Sequence, residues 1–204
     1  EDMCSIYAHS KRRDRLATSF IRDNQIEDQH DTFWGGPGLV SATISMISEA
    51  IKDSSNKYFV LVCDSSIPLY DFKYTYEKLI NAKSMVHFTK SKVEKYHDFI
   101  DSLIELNSPI KKMVKCSQWM GLNREHAELI AQHGHDTFSK SMKNIPIPDE
   151  WYFRSLLNQF DPNFIDNNHN KKIMERNFKV IDGQNKPEVY KKIDLKDYPK
   201  KKQL

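Results

Sequence analysis

Two adjacent carboxylates, Asp149 and Glu150, stand in the run Ile147-Pro148-Asp149-Glu150-Trp151-Tyr152-Phe153. Pro148 donates no backbone hydrogen bond and restricts the residue before it, so the acidic pair sits at a helix start beside aromatic side chains. A carboxylate partly shielded from water in such a place can act as a general base. Acids at a helix N-terminus are also stabilised by the dipole with no chemistry involved, and the residues alone favour that simpler reading. His126, His133 and His135 invite a metal, but no acid or cysteine completes a zinc-type spacing, and His126 and His133 lie two turns apart. A solvated polar helix face is expected there, and no metal site.

Other groups with chemical potential lie where strands end. Tyr58 to Cys63 is a continuous apolar run, as expected of a central strand covered on both faces. It delivers Asp64-Ser65-Ser66-Ile67-Pro68 to the carboxyl edge of a sheet, where small polar groups and an acid suit a nucleotide or a sugar. An Asx-type turn explains the same residues equally well. Met3 to His9 has strand character and sets His9 at a second strand end, where a lone histidine is more often structural than functional. Phe33-Trp34-Gly35-Gly36-Pro37-Gly38 breaks the chain before a helix; it can hold an anion but fits neither the dinucleotide fingerprint nor the P-loop.

The elements that must position these groups follow from periodicity. Leu39, Val40, Ile44, Ile47, Ala50 and Ile51 make a core-facing stripe on a helix from about 39 to 51. A helix is expected over 72–81, a short strand over 85–88, and an amphipathic helix over 91–106 with Ser91 and Glu94 as a capping box. The strand Ser117 to Leu122 breaks at Asn123, an N-cap residue. The helix that follows is expected to carry Ala127, Leu129, Ile130 and Ala131 inward and to stop at Gly134. A further helix spans 150–160, and Phe178 to Asp182 forms one more strand. Residues 14–32 are polar and carry no clear pattern.

The 204 residues form one domain of about 1–185 with a basic arm over 186–204, where seven lysines face three acids. At 39% apolar, 29% charged and a net charge of +3, the chain is ordinary globular protein, and charge gives no ground for nucleic-acid binding. No apolar window spans a bilayer, and the opening residues lack a signal-peptide pattern. Cys4, Cys63 and Cys116 are odd in number, which suggests free, buried thiols in a reducing compartment.

Five segments, in order, resemble the core-2/I-branching glycosyltransferase family, which includes the peptide O-xylosyltransferases. They are Ile6-Tyr7-Ala8-His9; Trp34-Gly35-Gly36-Pro37 with Leu39, Val40 and Ala42; and Tyr58 through Leu69. Ser117-Gln118-Trp119 with Leu122 to Ala127 follows, and then Pro148-Asp149-Glu150 with Tyr152-Phe153. The resemblance implies a GT-A-like α/β fold, a mixed and mostly parallel sheet flanked by helices. It implies an inverting enzyme that moves N-acetylglucosamine or xylose from a UDP-sugar to a hydroxyl of a glycan or other acceptor. By that match Glu150 would be the general base, with Asp149 shaping its turn or binding sugar hydroxyls. Ser117, Gln118 and Trp119 would line the donor-sugar pocket, and His9, Trp34, Gly35, Asp64 and Ser65 would lie near the nucleotide.

No cofactor and no metal ion is implied, in keeping with a triplet that lacks the second acid of an Asp-x-Asp. The family's diphosphate-neutralising Arg-Lys pair has no counterpart before Leu204: either it lies outside this chain, or tail lysines such as Lys200 to Lys202 substitute, or the protein does not turn over; the family's first strand and helix would precede Glu1. A non-catalytic nucleotide-sugar or carbohydrate-binding module is the alternative, and a basic interaction protein the third possibility. The expected location is cytoplasmic, or the Golgi lumen if an anchor lies outside this chain.

Overall fold

A computed structural model of the chain describes residues 3–12, 19–63, 66–68, 70–80, 83–88, 100–104, 108–142, 145–162, 174–175, 178–181 and 184–187. In order these form α1 (Ser19–Asp23), α2 (Gly38–Ala50), β1 (Tyr58–Val60), β2 (Ile67–Pro68), α3 (Phe72–Leu79), β3 (Met85–Phe88) and β4 (Cys116–Asn123). There follow α4 (Arg124–Ser141), a 3-10 turn (Pro148–Glu150), α5 (Tyr152–Phe160), β5 (Met174–Glu175), β6 (Phe178–Ile181) and β7 (Gln184–Pro187). Among the described residues no helix is long and apolar enough to cross a membrane.

The protein is a mixed helix and strand domain around a small sheet in the order β1-β4-β3. Both outer strands pair antiparallel with β4: Tyr58 faces Asn123 and Val60 faces Gly121 on one side, and Val86 faces Met120 on the other. The expected mostly parallel sheet is therefore not what the described residues form; each of their ladders is antiparallel. The reason is that β4 runs between two strands of the opposite direction. The apolar run at 58–63 also becomes an edge of this sheet, with Val62 54% exposed, and not a strand covered on both faces. The segment Met3 to His9 makes a single parallel bridge, Ala8 to Gln25, in place of the expected strand.

Local rules explain most boundaries. Asn123 caps α4 by accepting the His126 N–H at 3.1 Å, and Asp71 caps α3 by accepting that of Tyr74 at 2.9 Å. The predicted helix over 91–106 lies largely outside the described residues, although Ile100 is buried. The α2 stripe turns Val40, Ile44, Ile47 and Ala50 into the core. Against it α4 places Ala127, Ile130 and Phe138, and α5 places Tyr152, Phe153, Leu156 and Leu157. Phe138, Tyr152 and Phe153 meet edge to face, with ring centroids 5.0 and 5.4 Å apart.

The expected stop at Gly134 is wrong: α4 runs on to Ser141. Gly134 is instead a packing residue, since a Cβ there would lie 3.1–3.2 Å from three side-chain carbons of Ile44. Its carbonyl accepts a hydrogen bond from the fully buried Tyr152 hydroxyl. Such a hydroxyl would be costly to bury without a partner. Arg124 joins α4 to the end of α2 by donating to the carbonyls of Ile51, Asp53 and Asn56 at 2.8–3.0 Å, while also bonding Glu128. Filling the α2–α4 contact should be costly. Gly134→Val is expected to lower unfolding free energy by about 1–3 kcal/mol, the usual range for an overpacked core, measured as a reduced urea midpoint at unchanged slope.

Candidate active site

The acidic pair sits on the 3-10 turn that joins the end of α4 to α5, and both its flanks are fixed. Ile147, which enters the turn, has φ 51° and ψ 55°, the left-handed region that a β-branched residue seldom adopts. It is pinned by Gly35, itself left-handed at φ 68°, where an added Cβ would come within 3.3 Å of the Ile147 Cγ1. The glycine turn before α2 and the acidic turn before α5 are thus in contact. The described residues place this contact beside the start of β4, which also packs on the acidic turn.

The two carboxylates have different surroundings. Asp149 is 5% exposed, and its Oδ1 is buried without a hydrogen-bond partner among the described residues. Burial, and then the charge of Glu150, push its carboxyl up from 3.8 to about 6, with its own backbone N–H and Lys115 acting in the opposite direction. Glu150 has a side chain 41% exposed and forms an ion pair through Oε2 with Lys115 Nζ. Lys115, 16% exposed, lies just before β4, and its Nζ stands 5.1 Å from the ring centre of the buried Trp151. Cys116 beneath them is fully buried, and its thiol is pushed up to about 12 chiefly by that burial. Cys4 is exposed and Cys63 half-buried, so the expectation of buried thiols holds for Cys116 alone; no disulfide joins the three.

Of the residues singled out by sequence, Gly35, Asp149 and Glu150 come together. Ser117, Gln118 and Trp119 follow Lys115 on β4, partly buried, and Ser117 Oγ accepts the Trp119 N–H at 3.1 Å. Trp34, next to Gly35, is 86% exposed. Asp64 and Ser65 lie outside the described residues. His9 is engaged elsewhere: its Nε2 accepts the His30 N–H at 3.0 Å, and its ring stacks on that of His30 at 6.2 Å.

That second cluster was not visible in the sequence. Ser45 on α2 donates to Asp28 at 2.6 Å and meets His30 Nε2 at 2.8 Å and His135 Nε2 at 3.4 Å. One hydroxyl proton and two lone pairs are thereby all used. The Ser45 bond holds the Asp28 carboxyl below the usual range, and burial lowers His135. The expected solvated histidine face holds for the exposed His135 but is corrected for the other two: His126 is 4% exposed and bonded to Asp161 at 3.1 Å, and His133 stacks on Phe160 at 4.1 Å. These rings fill gaps between α4, α5 and the N-terminal segment. Among the described residues no group of three or more His, Cys, Asp or Glu is arranged to hold a metal ion. A cavity of about 690 Å³ between the N-terminal segment, α2, β1 and α3 is lined by Tyr7, Thr43, Phe59 and Tyr76, among others, and by none of the predicted site residues.

The profile of the Core-2/I-Branching enzyme family matches residues 1–201. The chain belongs to that family. It is 29% identical over 160 residues to "Glycosyltransferase BC10" of Oryza sativa subsp. japonica, across 74% of this chain and 39% of that protein. The chain thus spans well under half the length of this curated relative.

Sequence reasoning missed Lys115 and the Ile147 conformation. Lys115 is one of many lysines, and nothing local ties it to an acid far along the chain; only Pro146-Ile147-Pro148, an isoleucine between two prolines, hinted at an unusual turn. The raised Asp149 carboxyl has a stability consequence. Its folded value lies above the unfolded one, so the folded state holds the proton more tightly, and stability is lost as pH rises from about 4 through about 6. Asp149→Asn is expected to be more stable than wild type at pH 7 by about 1–2 kcal/mol and to lose that pH dependence, measured by urea unfolding across the range.

Proposed function

We propose that this chain is the catalytic part of an inverting glycosyltransferase that moves a sugar of the N-acetylglucosamine or xylose class from a UDP donor to an acceptor hydroxyl, with Glu150 as general base. The observation that carries this is the split within the acidic pair. Asp149 is buried, whereas Glu150 presents a half-exposed carboxylate on a turn locked by Gly35 and Ile147. A base must be reachable by the hydroxyl and held still enough to align it.

In the reaction the acceptor oxygen attacks the anomeric carbon as Glu150 takes its proton. The carbon–oxygen bond to the acceptor forms, the bond to the β-phosphate breaks, and UDP leaves with the electron pair on the opposite face. Single displacement inverts the anomeric centre. The partly buried Ser117, Gln118 and Trp119 would meet the donor sugar, and the exposed Trp34 beside Gly35 offers a flat face to the nucleotide. Asp64 and Ser65 would complete that end. The triplet Asp64-Ser65-Ser66 has one acid, and we assign the reaction no metal ion, so positive side chains must neutralise the leaving diphosphate.

Glu150→Gln keeps the shape and removes the base. Transfer from a UDP-sugar, followed as UDP release with acceptor present and repeated with chelator, should fall about 10²-fold or more while donor binding persists. Undiminished release in that variant would falsify the assignment, and saturable binding with no release from the wild-type chain would favour a binding module.

A further inference from the structure

Building on Glu150 as base, we infer that Lys115 is its positioning residue: pinned between Glu150 and the face of Trp151, Lys115 aims the carboxylate and balances both acids of the turn. Three observations converge. The lysine is mostly buried, and its charged end is flanked by two partners of the same turn, the Glu150 carboxylate and the Trp151 ring. The acids are adjacent in the chain, and Lys115 is the cation whose field acts against the repulsion that Glu150 exerts on Asp149. Among the described residues, Cys116 and the 9% exposed Arg154 of α5 are further ionisable groups beside Lys115 and Glu150.

The arrangement answers a problem that any such base meets. A carboxylate that accepts a proton loses its charge, and a mostly buried ammonium paired to it would then be stranded. Here Asp149 remains alongside as the counter-charge. When the acceptor O–H gives its proton to Glu150, the lysine keeps an anionic neighbour on the same turn. Glu150, half-exposed, can then return the proton to water. The pair also limits the rotamers open to the glutamate, which keeps its oxygens where the hydroxyl arrives. Lys115→Met removes the charge but keeps an apolar chain of similar length against Trp151, and the 41% exposed Glu150 stays within reach of water, so this variant is expected to fold.

The test compares Lys115→Met, Lys115→Arg and Glu150→Gln in the UDP-sugar transfer assay over pH 5–9, alongside 13C-carboxyl NMR of Asp149. Lys115→Met should lower kcat about tenfold at neutral pH with the donor KM little changed. That loss should hold across the whole pH range, because it is the placement of the carboxylate that fails. The Asp149 carboxyl signal should titrate at higher pH in the same variant, and Lys115→Arg should restore most of both. If Glu150→Gln abolishes transfer but Lys115→Met leaves kcat and the Asp149 titration in place, the role given to Lys115 is wrong and the base assignment stands. If transfer survives Glu150→Gln, the base assignment itself fails and Lys115 loses its role with it.

Discussion

Ile44 and Gly134 set the distance between α2 and α4, and the site depends on that distance. With no side chain at 134, the helices approach until three Ile44 carbons crowd the place where a Cβ would begin. The same close approach presents the Gly134 carbonyl to the Tyr152 hydroxyl. Tyr152 opens α5 and lies two residues after Glu150, so a core contact between two helices reaches the acidic turn within one hydrogen bond. Pro148 and Asp149 of that turn are buried too, and Trp151 behind it is 4% exposed. The turn is the surface end of the core and not a loop laid over it.

Two polar clusters among the described residues have different electrostatics. Around Ser45, each hydrogen-bonding position of the hydroxyl is met, by Asp28, His30 and His135. A satisfied network of this kind holds an N-terminal segment onto α2 and α4 and needs no ligand to explain it. Around Glu150 the accounts do not close. Asp149 Oδ1 is buried without a partner among the described residues, and its carboxyl is pushed up to about 6. Unsatisfied buried charge is a stability cost that structure alone does not require, and such costs gather where chemistry is done.

The parts of this fold visible in the sequence were those governed by local rules. Asn123 was read as an N-cap because one residue suffices to cap, and its side chain does so. The α2 stripe was visible because a period of 3.6 shows in any thirteen residues. Gly134 was misread for the opposite reason: its role lies in contact with Ile44, ninety positions earlier, and a glycine in isolation says only that a helix can end. Strand direction among the described residues was not legible either, because an apolar run at 58–63 carries no mark of which neighbour it will pair with. Of the site, the acidic pair and the glycine turn were legible as motifs. Lys115 was not, because an ion pair between distant segments leaves no periodicity, and the contact of His9 with the His30 backbone was not, because a backbone partner bears no side-chain signature.

The turn's precision rests on two residues in an uncommon backbone conformation that touch each other. A glycine at φ 68° is unstrained; an isoleucine at φ 51° carries a cost on the order of 1–3 kcal/mol and persists only where its surroundings over-determine it. Gly35 supplies part of that constraint by packing on Ile147, and Pro148 supplies more by fixing the next φ. Were Ile147 to relax to an extended conformation, the direction of the chain entering Pro148–Glu150 would change and the carboxylate would swing away from Lys115. The strain therefore acts as a pointer: it stores energy in one residue and uses it to fix the aim of another three positions later. That also explains why a glycine turn so far back in the chain accompanies the acidic turn: only a residue without a side chain fits this close to the strained Ile147.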